Sequence, residues 1–325
     1  MKRITAIVLC IALVCAAFCG CSANNTSGEN NSEKLTIVTT IFPLYDWVKN
    51  IVSDTDAQVD MLIDNGVDLH SFQPTVQDIM KISECDVFIY VGGESDAWVD
   101  DALKQKTNPD MIIIDLMDVL KDQIKEEEIV EGMEAEEEGE EEEDEPEYDE
   151  HIWLSLKNAV ISCEAILDEL CKADDKNALK YKENASSYIA ELNTLDGEYE
   201  QTAADAKVKT LVFGDRFPFR YMVDDYELNY YAAFIGCSAE SEASFETIVF
   251  LSGKVDELGL NYIMKIEGSD GSIAQTIKDN TQSKVQEILT LDSLQSVTAQ
   301  DVANGASYLD SMRGNLTVLQ TALNN

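Results

Sequence analysis

Leu35-Thr36-Ile37-Val38-Thr39-Thr40-Ile41 runs straight into Phe42-Pro43-Leu44-Tyr45-Asp46-Trp47-Val48-Lys49-Asn50-Ile51, and this stretch decides the fold. Its first seven residues are rich in β-branched side chains and do not alternate with charged ones, the pattern of a strand buried on both faces. Pro43 then sits where a helix tolerates proline best, in its first turn. Leu44, Trp47, Val48 and Ile51 follow at helical spacing and share one face. A buried strand feeding an amphipathic helix is the opening unit of an α/β protein.

Working outward, the same strand signal returns at residues 59–63, 87–91 and 111–114, with helical stretches at 76–82 and 97–103 between them. Two long helical segments, 152–170 and 175–206, follow without an internal proline. The second carries Leu179, Tyr181, Tyr188, Ile189, Leu192, Leu195 and Tyr199 among many polar residues. That mixture suits a helix lying along two lobes, and Gly197 within it costs about 1 kcal/mol against alanine. A second alternating set then has strands at 210–213, 228–234, 262–266 and 285–289 and helices at 245–258, 272–280 and 306–323. The expectation is therefore two α/β lobes with parallel-type sheets, residues 34–174 and 207–325, joined by a long rigid helix at 175–206.

The N-terminus reads as a secretory signal. Lys2 and Arg3 precede an apolar stretch that ends in Cys19-Gly20-Cys21-Ser22, too short and too abruptly polar to span a bilayer. Cys21 is expected to be the first mature residue, joined to lipid, with residues 21–33 a flexible tether to an extracytoplasmic domain. Of the remaining cysteines, Cys85, Cys163, Cys171 and Cys237 match no zinc knuckle and are expected as buried free thiols. Cys163 and Cys171 lie about 12 Å apart on one helix, beyond disulfide reach.

The formal charge of −40 excludes a nucleic-acid partner, which demands a basic footprint. Much of that charge is local: residues 126–150 hold 17 acids and no lysine or arginine. Such a run is either a solvated, disordered insertion or a weak collector of cations.

Only two histidines occur in the chain. His70 follows Asp64-Asn65-Gly66-Val67-Asp68-Leu69, and His151 stands in Tyr148-Asp149-Glu150-His151-Ile152-Trp153-Leu154. Both mark loop-to-helix junctions, where sites are commonly built on a rigid scaffold. Residues 36–45, the Gly66-x-x-x-His70-x-x-x-Pro74-Thr75 loop, the Asp149-to-Leu154 junction and Ser307-Tyr308-Leu309-Asp310-x-Met312-x-x-Asn315-Leu316 together resemble the zinc- and manganese-binding solute-binding lipoproteins of metal ABC importers. The resemblance covers nearly all of the mature chain.

It implies a monomeric binding protein rather than an enzyme, delivering Zn2+, or alternatively Mn2+, to an ABC permease. It makes His70 and His151 the first two metal ligands. The third, a His or Glu in that family, falls on Asp215, with Arg216 a competing partner for that carboxylate. The fourth falls on Asp292, whose plainer role is an N-cap. Glu267 is expected to orient a ligand rather than bind the ion. Two imidazoles and two carboxylates carry a charge of −2, suit zinc or manganese, and contain no thiolate for copper(I) or an iron–sulfur cluster.

A metallohydrolase is the first rival, but HExxH, GxSxG and Walker motifs are missing, and no third histidine remains as acid or base. An acidic surface adhesin accounts for the anchor and the charge, though not for the histidines. The loop containing Cys237, Glu240 and Glu242 reads as a connection rather than a thiolate site. If the four-residue ligand set is right, deleting residues 126–147 leaves metal affinity within a few-fold in a titration. Loss of binding on that deletion would overturn the ligand assignment.

Overall fold

The computed structural model describes residues 34–134, 147–236 and 242–324. Cys21, residues 135–146 of the acidic run, Cys237 and Glu240 lie outside the described residues.

The opening stretch forms strand β1 (Thr36–Thr39) and helix α1 (Phe42–Ile51), with Pro43 in the first turn. The first half continues β2 (Gln58–Met61), α2 (Val76–Glu84), β3 (Val87–Tyr90), α3 (Val99–Leu103), β4 (Ile112–Asp115) and α4 (Leu116–Val119). Two long helices follow, α5 (Leu156–Ala173) and α6 (Ala178–Ala204). The second half runs β5 (Thr210–Phe217), α7 (Arg220–Asp225), β6 (Asn229–Ile235), α8 (Phe245–Leu258), β7 (Tyr262–Ile266), α9 (Ser272–Asn280), β8 (Glu287–Leu291), α10 (Ala299–Ala303) and α11 (Tyr308–Leu323). Each half carries a four-stranded parallel sheet, ordered β2-β1-β3-β4 and β6-β5-β7-β8. The two sheets thus share one connectivity, and in both the loops after the strands emerge at one edge, where open α/β sheets bind ligands.

Helix α6, about 40 Å long at 1.5 Å per residue, ties the halves together. Near its start Asn184 donates to the carbonyls of Ile51 and Ser53, and Tyr188 Oη donates to Asp46 of α1 at 3.0 Å. Near its end Tyr199 Oη donates to the carbonyl of Met312 on α11 at 2.6 Å. One apolar core runs from Ile37 and Trp47 through Trp153 to Phe213, Tyr308 and Leu323. A smaller cluster of Val212, Leu251, Val255, Ile263 and Ile277 packs the second sheet against α8 and α9. Trp47 and Tyr308 meet edge to face with ring centroids 5.3 Å apart, and both are fully buried. Separating the halves would expose these rings, so the core restrains any opening.

Three local differences from the sequence reading have physical causes. The helix expected at 152–170 begins later, because Ser155 caps α5 by accepting from Asn158 N, leaving Ile152–Leu154 as a separate 3-10 turn. The last strand lies two residues further on, since Lys284 takes φ +55° and Gln286 turns inward to Thr281. The acidic run is partly structured: Glu126 pairs antiparallel with Tyr148, Met133 is buried, and Glu134 N donates to the carbonyl of Ala233 at 2.9 Å.

Asp46 supplies a test of the α1–α6 joint. Burial pushes its carboxyl up to about 6, against the hydrogen bonds from Tyr188 and Asn50 that favour the charged form. An acid with a raised folded pKa contributes stability below its unfolded pKa and loses it as pH rises through the folded value. Between pH 4 and pH 7 the wild type should therefore lose stability relative to Asp46→Asn, on the order of 2 kcal/mol. Urea unfolding of both proteins across that range measures it.

Candidate metal site

The loop after β2 brings His70 into the site. Gly66 turns the chain with φ +79°, and a Cβ there would lie 3.3 Å from the Thr298 methyl of the second half. Ala299 N also donates to the carbonyl of Asp64, so this loop is tied across the cleft. Asp68 caps the 3-10 turn Leu69–Ser71 by accepting from His70 N at 3.1 Å. After β3, Gly92 and Gly93 adopt φ +95° and +82°, and the turn Glu94–Asp96 that follows presents Ser95. Ser95 Oγ lies 2.6 Å from His70 Nδ1, while Ser95 N donates to Glu150 Oε1 at 2.8 Å. The other oxygen, Glu150 Oε2, stands 3.8 Å from His70 Nδ1.

His151 is held more tightly. The base of the acidic run is paired, with Glu127 N donating to Glu147 O and Asp149 N to Lys125 O, both at 2.9 Å. Tyr221 Oη from α7 donates to the Asp149 carbonyl at 2.6 Å. Asp149 Oδ1 then accepts from His151 N at 2.8 Å and meets its Nδ1 at 2.9 Å. From the second half, the backbone at Gly236 closes on the ring: a Cβ there would stand 2.8 Å from His151 Cε1. Only glycine allows that approach. His151 is completely buried.

These supports leave the two Nε2 atoms facing each other at 3.3 Å, with ring centroids 5.2 Å apart and planes inclined at 57°. The Asp149 carboxylate holds a proton of His151 on Nδ1, the side of the ring turned away from His70. Two nitrogens each ~2.1 Å from a tetrahedral ion stand about 3.4 Å apart, so the observed gap suits a shared cation. Burial opposes charge on His151, but Asp149, Glu150 and Asp68 outweigh it, and the pKa is raised. Burial and the neighbouring His151 push His70 the other way, down to about 4, with Arg216 adding to the shift and Asp68 opposing it. His70 is thus neutral at physiological pH, as a ligand must be.

The expected carboxylates of the second half are engaged with backbone N–H groups. Asp215 is turned onto backbone, its Oδ1 accepting from Arg216 N at 2.9 Å and its Oδ2 from Ile266 N at 3.3 Å. A register shift in β5 between Phe213 and Arg216 places these residues, and Arg216, rather than pairing with Asp215, reaches Asp68 at 2.9 Å. Asp292 caps the chain after β8 through Leu294 N and is flanked by Asn315. Burial, then the charge of Glu267, raises its pKa to about 6. Glu267 accepts from both the backbone and hydroxyl of Ser293 at 2.6 Å. Ser293 O in turn accepts from Trp153 Nε1, two residues from His151. Among the described residues, no three His, Cys, Asp or Glu side chains are grouped to hold a metal; what the structure does bring together is the imidazole pair.

Ser95, Gly236 and the Asp68–Arg216 pair were not singled out from sequence as parts of the site. One signal was available: both histidines stand in Asp-x-His, and in both the aspartate accepts from the histidine's own backbone N–H.

The match to known proteins follows this geometry. Residues 37–322 fit the family model described as ZnuA, zinc-uptake complex component A, periplasmic. The chain belongs to the ZnuA family. It is 31% identical to the high-affinity zinc uptake system protein ZnuA of Bacillus subtilis over 98% of this chain and 96% of that protein. It is 32% identical to the zinc-binding protein AdcA of Streptococcus pyogenes over 88% of this chain, spanning 56% of that longer protein. In structure it resembles the Zn(II)-bound ZnuA-like domain of Streptococcus pneumoniae AdcA, with a TM-score of 0.70 at 27% identity, covering 90% of this chain and all of that one. The two-sheet α/β architecture is that of the family's structures.

The Asp149–His151 bond yields a direct test. At a pH above the titration of His151, nitrogen-15 NMR of wild-type protein should report the Nδ1–H tautomer for this ring, and Asp149→Asn should shift the population towards Nε2–H. An unchanged tautomer in the variant would remove Asp149 as the group that orients the ring.

Proposed function

We propose that this protein captures a divalent transition metal outside the cytoplasm, zinc with manganese as the alternative, and delivers it to an ABC-type permease. The observation that carries the reading is the 3.3 Å approach of His70 Nε2 to His151 Nε2, each ring held through its Nδ1 side. Buried nitrogen lone pairs converging on one point are costly unless something electrophilic lies between them. The family supports zinc as that cargo: relatives carry zinc uptake in their names. A resident catalytic role finds no support, since both histidines serve the ion and no further imidazole exists in the chain.

In this reading, residues 34–174 and 207–325 act as the two lobes, with the cleft at the carboxyl ends of both sheets. Asp215 and Asp292 are the carboxylates proposed to complete the coordination shell from the second lobe, with Glu267 bracing the Asp292 loop through Ser293. Both acids now serve backbone groups, so their recruitment requires those hydrogen bonds to be exchanged for the ion. Cys21 is the proposed lipid anchor, and the monomer is the proposed working unit. Among the described residues, no helix is long and apolar enough to cross a membrane.

His70→Ala and His151→Ala should each reduce zinc affinity by two orders of magnitude or more by competition titration, in keeping with the loss of one donor of a small set. Asp292→Ala should weaken binding by roughly 10-fold, and equilibrated protein should carry one metal per chain by mass spectrometry. Tight binding retained in both histidine variants would refute the site.

A further inference from the structure

An ion pair between the two halves stands beside the imidazole pair. Arg216 Nη2, on β5 of the second half, lies 2.9 Å from Asp68 Oδ2, on the His70 loop of the first half. Asp68 Oδ1 meanwhile accepts from His70 N at 3.1 Å and lies 3.9 Å from His70 Nε2, one of the two facing nitrogens. A carboxylate oxygen therefore stands close to one of the two facing nitrogens, near enough to be drawn in and not yet grouped with both. Both side chains remain about one quarter exposed, so neither is locked in a dry core.

We propose that Arg216 sets the metal preference of this site by holding the Asp68 carboxylate away from the paired imidazoles. The inference rests on the metal-capture reading and names a determinant of its specificity.

The chemistry follows from donor hardness. Two imidazoles alone favour borderline ions such as zinc, whereas each added carboxylate improves the site for harder ions such as manganese. Asp68 is the hard donor at hand, and the guanidinium engages it with a charge-assisted hydrogen bond. Arg216 also adds positive charge beside the incoming cation, which penalises an ion whose few strong bonds do not offset that repulsion. The geometry supports this division of labour. Asp215, the neighbouring acid, is occupied by the backbone of Ile266 and of Arg216 itself and does not compete for the guanidinium. The β5 register shift between Phe213 and Arg216 is what delivers the side chain to the cleft. Because Asp68 and Arg216 come from different halves, the restraint also depends on their apposition.

The test uses the folded chain with zinc and manganese chlorides in parallel competition titrations. Arg216→Gln removes the charge, and Arg216→Met removes the hydrogen-bond donors as well; either should raise manganese affinity about 10-fold while leaving zinc within about 3-fold. Adding Asp68→Asn to either variant should cancel the gain for manganese. Thermal unfolding of each metal-free variant confirms that it is folded, and two different replacements at position 216 guard against one failing. If the zinc-to-manganese ratio stays at the wild-type value in the folded Arg216 variants, or if the gain survives Asp68→Asn, the proposal is overturned while metal capture stands. If the wild type binds neither ion, metal capture itself fails and this proposal falls with it.

Discussion

Two imidazole Nε2 atoms held 3.3 Å apart inside a protein call for an electrophile between them, a proton or a metal ion, and the rest of this structure can be understood as what keeps them there. The 3.3 Å approach of His70 and His151 is maintained from behind by Ser95 and Asp149 and from the side by Gly236. Each support comes from a loop that follows a strand or leads into a helix, so the parallel sheets act as rigid platforms for otherwise short, irregular segments. The result is a pair of facing imidazoles flanked by Asp68, Asp149 and Glu150, held ready rather than assembled on demand.

The two acids of Asp149-Glu150 divide this work between the rings. Asp149 bonds the imidazole two residues ahead of it, while Glu150 reaches across to Ser95 and thereby the other imidazole. A three-residue stretch ending in one histidine thus governs both. The opposed pKa shifts follow from the same arrangement: His151 has anionic support on several sides, and His70 has burial and a neighbouring imidazole against it. At neutral pH, His70 presents a free base, and any proton the pair retains is drawn to His151.

The connection between halves limits how far such a site can open. Trp47, Trp153 and Tyr308 belong to one continuous core, with Tyr308 Oη bonded to the Trp153 carbonyl at 2.7 Å. Helix α6 is fastened to α1 at one end and α11 at the other. Large hinge opening would break these contacts together. Smaller shifts at the strand ends, where Asp68 meets Arg216 and Asp64 meets Ala299, need far less.

Much of this was legible in the linear chain. Strand and helix alternation yielded the two-sheet plan, helices at 245–258 and 272–280 and the strand at 262–266 appear where their periodicity puts them, and the scarcity of histidine pointed to His70 and His151. These are local signals: side-chain shape, spacing and turn chemistry act over a few residues and survive without knowledge of distant partners. What the tertiary structure alone decided is who meets whom across long separations. An irregular register in β5 directed Arg216 instead of Asp215 towards the His70 loop, and a backbone approach at Gly236 closed on His151. Neither follows from periodicity, because a register shift breaks the two-residue rhythm and a glycine's role depends on the atom that packs against it.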